Sequence, residues 1–242
     1  MSFENQSVLI TGGSRGLGLA LARILAGQGA RVVITGRDGA ALERAAAGIR
    51  RSGGTVFAVA GDVADKHAIH PLAAQAAELA GPVDLLVNNA SSLGPVPLGL
   101  LLDTECEEFA RVLETNLLGP FRLAKAVAGS MLIRGRGTVL NVSSDAAASA
   151  YPNWGIYGAS KAALDHLTRI WAAELAGTPV RFYSVDPGEM DTRMHADAVP
   201  DADPASLARP EDVAVKILDR LEKGGLPSGA RFSATDPLAE AR

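Results

Sequence analysis

Short apolar runs alternate with longer amphipathic stretches along most of the chain. The apolar runs predict β-strands at 7–11, 31–35, 55–60, 83–87, 138–142 and 180–185. The stretches between them have helical spacing and predict helices at 19–28, 40–50, 68–79, 104–134, 156–176 and 211–223. Strands that alternate with helices are typical of a parallel sheet. We therefore predict an α/β protein with a doubly wound parallel sheet in three layers, as one domain over residues 1–242.

Three segments depart from this alternation. Asn116 interrupts the apolar course of the 104–134 helix shortly before a proline, which predicts a local distortion that frees a backbone group; a surface Asn is the alternative. Residues 189–209 have no clean period and predict a mobile substrate lid with short helical pieces. Residues 229–234 predict a short edge strand, and the tail to Arg242 is expected to fray.

A glycine-rich turn joins the first predicted strand to the first helix. Its sequence, Thr-Gly-Gly-Ser-Arg-Gly-Leu-Gly at 11–18, places glycines at positions 12, 16 and 18. Glycines let the backbone approach a pyrophosphate closely, and a helix N-terminus supplies N–H groups and the positive end of a dipole. The turn therefore predicts a dinucleotide site, with a tight structural turn as the alternative.

The end of the second predicted strand indicates which dinucleotide is bound. An NAD site usually has an acid there to hold the ribose 2′-hydroxyl, but this chain has Gly36 followed by Arg37. Arginine accommodates a 2′-phosphate, and Arg15 in the glycine turn adds a second positive charge. We interpret Asp38 as the N-cap of the helix that follows. The pattern favours NADP(H) over NAD(H); solvated surface arginines are the alternative.

Polar residues also follow the third and fourth predicted strands. Asp62 can accept a hydrogen bond from an adenine amino group or cap its own loop, and the spacing alone does not choose between these roles. The fourth strand ends in Asn88 and Asn89, and Asn side chains can tie neighbouring loops together. The apolar residues 93–102, punctuated by Pro and Gly, are a candidate pocket wall.

The stretch 141–161 contains the candidate chemistry. Tyr157 and Lys161 are four residues apart, so they share one face of a helix. A nearby ammonium favours a phenolate, so we expect Lys161 to lower the phenol pKa from its usual value of about 10 and to make Tyr157 a general acid/base. A hydroxyl at the end of the preceding strand, Ser143 or Ser144, can hydrogen-bond the same substrate oxygen. Taken alone, this Tyr–Lys spacing also occurs by accident.

Composition narrows the function classes. Hydrophobic residues make up 48% of the 242-residue chain, enough for a large core, and a net charge of -4 gives no basic surface for nucleic acid. The single cysteine, Cys106, lies among acidic residues that disfavour a thiolate, and the four histidines show no metal-ligand spacing. No apolar run reaches membrane-spanning length and the first residues do not resemble a leader, so we expect a cytoplasmic protein with no nucleic-acid, membrane or metal partner.

Taken in order, these motifs resemble the short-chain dehydrogenase/reductase family over nearly the whole chain, from Val8 to about Lys223. The matching residues are Thr11-Gly12-x-x-x-Gly16-x-Gly18, Asp62, Asn88-Asn89-Ala90, Asn116, Ser144, Tyr157-x-x-x-Lys161 and Pro187-Gly188. The resemblance implies a Rossmann fold. In the family the catalytic serine lies thirteen residues before the tyrosine, which selects Ser144 over Ser143.

The resemblance also implies roles for these residues. Tyr157 would be the acid/base, and Ser144 would orient the carbonyl. Lys161 would bind the nicotinamide ribose and lower the Tyr157 pKa, while Asn116 would hold a water in a proton relay to Lys161. Thr192 would contact the nicotinamide carboxamide. The implied cofactor-binding residues are Gly12, Ser14, Arg15, Gly16, Leu17, Gly18, Arg37, Asp62, Val63, Asn89, Ala90, Tyr157, Lys161, Pro187, Gly188 and Thr192.

Three departures from the family pattern bear on these expectations. Ser91 replaces the usual glycine after Asn-Asn-Ala and is expected to alter the backbone beside the nicotinamide, and Glu189 places an acid near the pocket mouth. The tail lacks the Gly-Gly ending of the strand that helps to build tetramers, which weighs against a tetramer more than against a dimer. Because the family's long helices, here 104–134 and 156–176, usually pair across a two-fold, we expect a homodimer or homotetramer.

The function predicted on these grounds is an NADP-dependent carbonyl reductase, or the reverse alcohol dehydrogenase, with a small-molecule carbonyl or alcohol substrate. A non-catalytic dinucleotide-binding sensor on the same fold is the alternative, although sensors tend to lose the acid/base that this chain keeps. An extended-branch sugar-nucleotide epimerase or dehydratase would need a differently spaced loop and a larger C-terminal region. An apolar or aromatic carbonyl compound is suggested by the candidate pocket residues Leu93, Tyr151, Trp154, Met190, Met194 and His195.

Overall fold

A seven-stranded parallel sheet forms the centre of the protein, which a computed structural model describes over residues 2–236. Its strand order is β3-β2-β1-β4-β5-β6-β7, so the order reverses between β1 and β4 and leaves a crevice at the carboxyl ends of those strands. The strands are β1 Ser7–Thr11, β2 Arg31–Gly36, β3 Thr55–Ala60, β4 Leu85–Asn88, β5 Gly137–Val142, β6 Val180–Asp186 and β7 Arg231–Ser233. The predicted doubly wound parallel sheet is confirmed.

Helices cover both faces of this sheet. They are α1 Gly16–Gly27, α2 Gly39–Arg51, α3 Ile69–Ala80, α4 Cys106–Leu113, α5 Gly119–Arg134, α6 Gly155–Glu174, α7 Arg193–Ala198 and α8 Pro210–Lys223. The first helix begins at Gly16, inside the glycine turn, rather than at position 19 as the apolar spacing predicted. The glycines in that turn hid the start of the helix from the apolar pattern.

Each central strand contributes to two apolar layers, because successive side chains point to opposite faces of a sheet. In β1, Val8 and Ile10 pack in the layer under α1, α2 and α8, while Leu9 packs in the layer under α3 and α5. The neighbouring strand β2 divides its side chains in the same way. Burial on both faces explains why these strands are continuous apolar runs rather than alternating ones.

The predicted helix at 104–134 is interrupted where the sequence placed Asn116. Residues Glu114–Leu118 form a π-helical turn that separates α4 from α5. Asn116 lies in this turn and is completely buried, so the predicted distortion is confirmed and the alternative of a surface Asn is wrong. Close packing continues at Gly119, where a Cβ would lie 2.8 Å from the carbonyl oxygen of Val63. Because π-helical turns are frequent at functional sites, this one directs attention to the groups around Asn116.

The segment 189–209 contains the short helical pieces that were predicted, α7 and a 3₁₀ turn at Pro204–Ser206. Its two ends are joined by backbone hydrogen bonds, since Asp191 N donates to Ala208 O at 2.9 Å and Ala208 N donates to Glu189 O at 3.2 Å. The segment is therefore a closed loop anchored at its base. Its role as a substrate lid stays a prediction.

The last part of the described chain forms the predicted edge strand. This strand, β7, pairs in parallel with β6, with Ser184 opposite Arg231. The predicted fraying concerned the tail after residue 234; Thr235 and Asp236 form hydrogen bonds with Ser233, and residues 237–242 lie outside the described residues. Through β7 the C-terminal region reaches the carboxyl edge of the sheet, where the candidate site lies.

Candidate active site

The glycine turn has a backbone that only glycine accommodates without strain. Gly12 and Gly16 have φ values of +68° and +54°, in the left-handed region. A Cβ at Gly18 would overlap the carbonyl oxygen of Gly12 and would lie 2.6 Å from Asn89 Nδ2. The residue before α1, Arg15, makes no side-chain hydrogen bond to cap the first turn of this helix. This geometry fits a pyrophosphate bound at the start of α1.

Asn89 ties the glycine turn to the end of β4. Its Nδ2 donates to the carbonyl oxygens of Thr11 at 2.9 Å and Gly12 at 3.2 Å. In return, Thr11 Oγ1 accepts hydrogen bonds from the backbone N–H groups of Asn89 and Ala90, both at 2.9 Å. The expectation that an Asn here ties neighbouring loops together is confirmed, and Ala90 is held at the mouth of the crevice.

Of the two arginines predicted to hold a 2′-phosphate, Arg15 directly precedes α1 and Arg37 directly follows β2. Arg15 and Arg37 are exposed, and within residues 2–236 neither guanidinium makes an ion pair or a side-chain hydrogen bond. Asp38 Oδ1 accepts a hydrogen bond from Ala41 N at 3.0 Å, which confirms Asp38 as the N-cap of α2. That contact engages one carboxylate oxygen of Asp38 at the start of α2.

Asp62 caps its own loop in this structure. Its Oδ1 accepts a hydrogen bond from Ala64 N at 3.0 Å, one of the two roles that the sequence left open. The adjacent Val63 is buried against the π-helical turn. Of the remaining implied cofactor residues, Ser14 is half-buried in the glycine turn and Leu17 is buried in the first turn of α1.

Tyr157 and Lys161 lie one turn apart near the start of α6, and both side chains are buried. Lys161 Nζ lies 5.7 Å from the centroid of the Tyr157 ring and donates a hydrogen bond to the carbonyl oxygen of Val142 at 2.7 Å. Val142 is the last residue of β5. The lysine therefore joins the helix that carries the tyrosine to the carboxyl edge of the sheet.

The structure corrects the expected direction of the Tyr157 pKa. Burial raises the pKa of this phenol to about 12, because the phenolate loses its hydration. Hydrogen bonds with Ser144 and Ser91 lower the pKa, but burial outweighs them, and the carboxylates of Asp145 and Asp186 raise it further. The expected lowering by an ammonium was wrong for the chain alone, since the spacing of two residues carries no information on burial. At neutral pH the phenol holds its proton and can donate it.

Lys161 shows the opposite effect of the same burial. Burial lowers the pKa of its ammonium to about 8, while the nearby carboxylate of Asp165 acts to raise it. Lys161 therefore titrates close to the physiological range. Near neutral pH both forms of Lys161 are therefore populated. The charged form can donate hydrogen bonds to ribose hydroxyls, and the neutral form can accept a proton.

The structure brings Ser144, rather than Ser143, to Tyr157. Ser143 is buried and its N–H donates to Val185 O at 2.7 Å, but within the described part of the chain its hydroxyl has no partner. Ser144 hydrogen-bonds Tyr157, and its Oγ donates to Asp145 Oδ1 at 2.9 Å. Geometry thus agrees with the serine that the family spacing selected.

Asp145, a polar neighbour of this serine, was not singled out from the sequence. Asp145 Oδ2 accepts a hydrogen bond from the Tyr151 hydroxyl at 2.8 Å, so Asp145 connects Ser144 to a half-exposed tyrosine. Ser91 places its hydroxyl beside the Tyr157 phenol and lowers the phenol pKa, while its expected effect on the backbone stays a prediction. A Ser-Asp pair directly after a strand was the available signal for the first contact; nothing local in the sequence signals the second.

Both the nitrogen and the oxygen of the Asn116 side-chain amide form hydrogen bonds within the protein. Its Nδ2 donates to Ser92 O at 2.8 Å and to Ser160 Oγ at 2.9 Å. Its Oδ1 accepts from Ser92 N at 2.8 Å and from Ser91 Oγ at 3.2 Å. The side chain therefore clamps the 91–92 loop to α6. A water in the implied relay would have to bind the backbone of Asn116, in the π-helical turn.

An apolar cluster lines one side of the Tyr157 ring. Leu93 and Ala146 are buried against Tyr157, and Trp154 and Met194 pack on them. The Trp154 and Tyr157 rings meet edge to face, with centroids 5.7 Å apart. The side chains around the ring are apolar, so the cluster fits an apolar substrate group beside the phenol.

The remaining candidate pocket residues divide between three environments. Met190 packs against the main core and not in this cluster, which corrects its placement in the pocket. Tyr151 is half-exposed at the hydrogen bond to Asp145. His195 Nε2 lies 3.6 Å from Glu189 Oε1, so the acid predicted at the pocket mouth faces an imidazole.

The loop after β6 approaches the glycine turn. Gly188 has a φ of +72°, and its N–H donates to Asp186 Oδ1 at 3.0 Å across Pro187. Thr192 Oγ1 accepts from His195 N at 3.2 Å and so caps α7. The Thr192 methyl group lies 3.4 Å from where a Cβ of Gly16 would be. This loop therefore brings Thr192 to the glycine turn at the start of α1.

Comparison with known proteins now defines the class. The family model described as short chain dehydrogenase matches residues 6–203. The chain therefore belongs to the short-chain dehydrogenase/reductase family of oxidoreductases. In residues 2–236, no helix is long and apolar enough to cross a membrane. Within the same range, no group of His, Cys, Asp and Glu side chains could hold a metal ion.

Two curated relatives cover most of the chain. The ketoacyl reductase HetN of Nostoc sp. is 32% identical over 228 residues, which are 91% of this chain and 77% of the relative. The inactive 2-(S)-hydroxypropyl-CoM dehydrogenase 2 of Xanthobacter autotrophicus is 37% identical over 223 residues, 91% of this chain and 89% of the relative. Similarity of this degree therefore extends to a protein that is named as inactive.

Solved structures of similar proteins contain both kinds of nicotinamide dinucleotide. A short chain dehydrogenase from Shigella flexneri complexed with NADP has a TM-score of 0.87 at 25% identity, and it covers 96% of this chain and 98% of its own. An NAD+-bound xylitol dehydrogenase has a TM-score of 0.85 at 25% identity, with the same two coverages. The shared fold therefore accepts either dinucleotide, and the residues at the ribose decide between them.

The glycine turn yields a prediction with an internal control. Gly18→Ala should destabilise the fold by about 1–3 kcal/mol, because its Cβ meets backbone that cannot yield, and should weaken NADPH binding by displacing Gly12. Gly27→Ala, in the same helix with open space around it, should stabilise the fold by about 0.5–1 kcal/mol. Denaturant unfolding and NADPH titration measure both. NADPH binding by Gly18→Ala as tight as by wild type would contradict the assignment of the turn.

Proposed function

We propose that the protein is an NADP(H)-dependent carbonyl reductase, which also runs in reverse as an alcohol dehydrogenase. The observation that carries the proposal is the buried, protonated Tyr157 phenol, with Ser144 hydrogen-bonded to it and Lys161 one helical turn away. Ser91 in the loop after β4 also hydrogen-bonds the phenol, and Lys161 is bonded to the end of β5, so these groups lie near the carboxyl ends of β4 and β5. An acid/base beside a dinucleotide site suits transfer of a hydride and a proton to the two ends of a carbonyl group.

In the reductive direction, NADPH supplies a hydride to the carbonyl carbon when it is bound. The residues of the chain hydrogen-bond and protonate the carbonyl oxygen. Ser144 Oγ–H turns from Asp145 to donate to the carbonyl oxygen, and the Tyr157 O–H donates to the same atom. As negative charge develops on that oxygen, Tyr157 transfers its proton to it and becomes a phenolate, and the product is an alcohol.

Lys161 supports this proton transfer in two ways. Its ammonium, close to the Tyr157 ring, stabilises the phenolate that forms when the proton leaves. Its pKa of about 8 lets it release and regain a proton near neutrality, so it can resupply Tyr157 through intervening hydroxyl groups. In the oxidative direction the same groups take the alcohol proton in the reverse order.

The choice of NADP(H) over NAD(H) is supported by charge. Arg15 and Arg37 are exposed and unpaired within residues 2–236, and Gly36 stands where an acid would repel a 2′-phosphate. Asp38, the nearest acid in sequence, is engaged as the N-cap of α2.

The substrate proposed is a small carbonyl or alcohol compound with an apolar or aromatic group. Leu93, Trp154 and Met194 form the apolar surface next to the phenol that this group would contact. The alternative is a non-catalytic dinucleotide-binding sensor, and the relative named as inactive is the observation that favours testing it. The retained Tyr157, Lys161 and Ser144 favour the enzyme.

A homodimer or homotetramer is also proposed, with α5 and α6 as the pairing helices. These helices expose large apolar side chains in the single chain, among them Ile133 at 91% and Ile170 at 40% exposure. Burial of such side chains against a second copy would remove apolar area from water. Light scattering measures the mass of the oligomer directly.

The segment 189–209 is proposed as the substrate lid of each subunit. The cytoplasm is the proposed location.

Replacement of the phenol tests the catalytic assignment. Tyr157→Phe should lower kcat for carbonyl reduction by about 10²- to 10⁴-fold, the usual worth of general acid catalysis, while NADPH affinity stays close to wild type. Tyr183→Phe is the control, because Tyr183 donates only to the Leu226 carbonyl oxygen and lies in β6. A Tyr157→Phe enzyme within about tenfold of wild type would reject the role of the phenol.

Cofactor choice is tested at Arg37. Wild type should prefer NADPH over NADH in kcat/KM by about 10- to 1000-fold, as expected for one or two charge-assisted hydrogen bonds to a 2′-phosphate. Arg37→Asp should reverse the preference, because the carboxylate repels the phosphate and accepts from a free 2′-hydroxyl. Arg44→Asp, the same charge change at an exposed position of α2, should leave the ratio near wild type. Preference for NADH in wild type would show that another group governs the ribose.

A further inference from the structure

Arg231, the first residue of β7, contacts three parts of the candidate active site with one guanidinium. Its Nε donates to Asp165 Oδ2 at 2.9 Å. Its Nη2 donates to the carbonyl oxygen of Ser144 at 2.9 Å and to Asp186 Oδ2 at 3.1 Å. The three acceptors come from β5's end, from α6 and from β6, and they lie between 45 and 87 residues away in sequence.

Each of these acceptors is linked to a different part of the proposed active site. Ser144 carries the hydroxyl that hydrogen-bonds Tyr157. Asp165 lies one turn after Lys161 on α6, and its carboxylate raises the Lys161 pKa. Asp186 accepts from Gly188 N with its other oxygen at 3.0 Å, so it fixes the loop that leads to Thr192.

The contacts are made in partial burial, where their geometry and charge have the most effect. The Arg231 side chain is 28% exposed, while the Asp165 and Asp186 side chains are only 6% and 12% exposed. Two carboxylates with little hydration share one cation, and loss of that cation would remove the ion pair that each of them makes with Arg231. Asp165 Oδ1 lacks a hydrogen-bond partner within the described residues, so this carboxylate depends on the hydrogen bond that Arg231 donates to Oδ2.

We propose that Arg231 is a positioning residue of the active site, which sets the Ser144 carbonyl, the helix of Tyr157 and Lys161, and the Gly188 loop in fixed relation to one another. The proposal rests on the function proposed above. Arg231 touches neither Tyr157 nor Lys161 and acts on them through Ser144, Asp165 and Asp186. The planar fork of a guanidinium reaches three acceptors in fixed directions, which an ammonium cannot reproduce.

Arg231 also enters the electrostatics of the acid/base pair. The charged groups that influence the phenol of Tyr157 are Asp145 and Asp186, and Asp165 influences the ammonium of Lys161. Removal of the guanidinium strengthens the field of Asp165 and Asp186, so both pKa values should rise. The alkaline limb of the pH–rate profile should therefore move to higher pH in a variant without the charge.

The test compares Arg231→Gln and Arg231→Lys with Arg134→Gln. Arg134 is 22% exposed and pairs with the buried carboxylate of Asp84. Asp84 directly precedes β4, so this pair lies at the amino ends of the strands, away from the candidate site at their carboxyl ends. Replacement of Arg134 disrupts a comparably buried Arg–Asp pair without contact to the candidate site. The measurements are kcat and KM across pH, NADPH affinity from Trp fluorescence, and thermal stability, all on the full chain well below its unfolding temperature.

The expected result separates positioning from mere stability. Arg231→Gln should lower kcat by about 10- to 100-fold, because a displacement of the order of 1 Å has this cost. It should weaken NADPH binding roughly tenfold, as expected for the loss of one hydrogen bond to a charged group. It should also shift the alkaline limb of the pH–rate profile to higher pH. Arg231→Lys should restore the pH profile, since the charge is kept, but only part of kcat. Arg134→Gln should lose stability and keep kcat, NADPH affinity and pH profile.

Two outcomes would overturn the proposal. One is an Arg231→Gln variant with kcat, NADPH affinity and pH profile within twofold of those of Arg134→Gln, which would leave Arg231 a purely structural contact. The other is full recovery of kcat by Arg231→Lys, which would assign the effect to charge and not to position. Failure of the proposed function looks different: wild type would show no turnover, while NADPH affinity still distinguishes Arg231→Gln from Arg134→Gln.

Discussion

The burial of the Lys161 ammonium is the constraint on which the rest of the site depends. A buried charge costs several kcal/mol even after relaxation of the protein, so its surroundings must compensate it. The carbonyl oxygen of Val142 accepts one of its protons, and the carboxylate of Asp165 faces it from one turn further along α6. That carboxylate is itself buried and needs a cation, which Arg231 provides. One buried lysine thus accounts for a chain of polar contacts from β5 through α6 to the last strand.

Most of the fold could be predicted from the sequence, because it depends on local patterns. Continuous apolar runs indicate strands that are buried on both faces, and the seven strands and their helices lie close to the predicted ranges. The distortion at Asn116 was visible as a polar residue in an apolar helical face, and the structure shows a π-helical turn there. The glycine turn was visible because close approach and positive φ both select glycine.

What could not be predicted depends on burial and on contacts between distant residues. The Tyr157 pKa was expected to fall, but burial by the apolar cluster raises it, and a spacing of four residues says nothing about burial. Met190 was placed in the pocket by its sequence neighbours, but it packs on the main core. Arg231 lies in a short edge strand with no motif around it, and only the folded chain brings it to Ser144. The choice of Ser144 over Ser143 required the family spacing.

The most direct test of the central claim is the pH dependence of kcat/KM for carbonyl reduction with NADPH. If Tyr157 donates the proton, its pKa of about 12 keeps it competent throughout the neutral range. The rate should then be level through neutrality and should fall above about pH 8, as Lys161 loses its proton and no longer stabilises the phenolate. A rate of reduction that rises with pH through neutrality would mean that a deprotonated group is required, and it would contradict the assignment of the Tyr157 phenol as the proton donor.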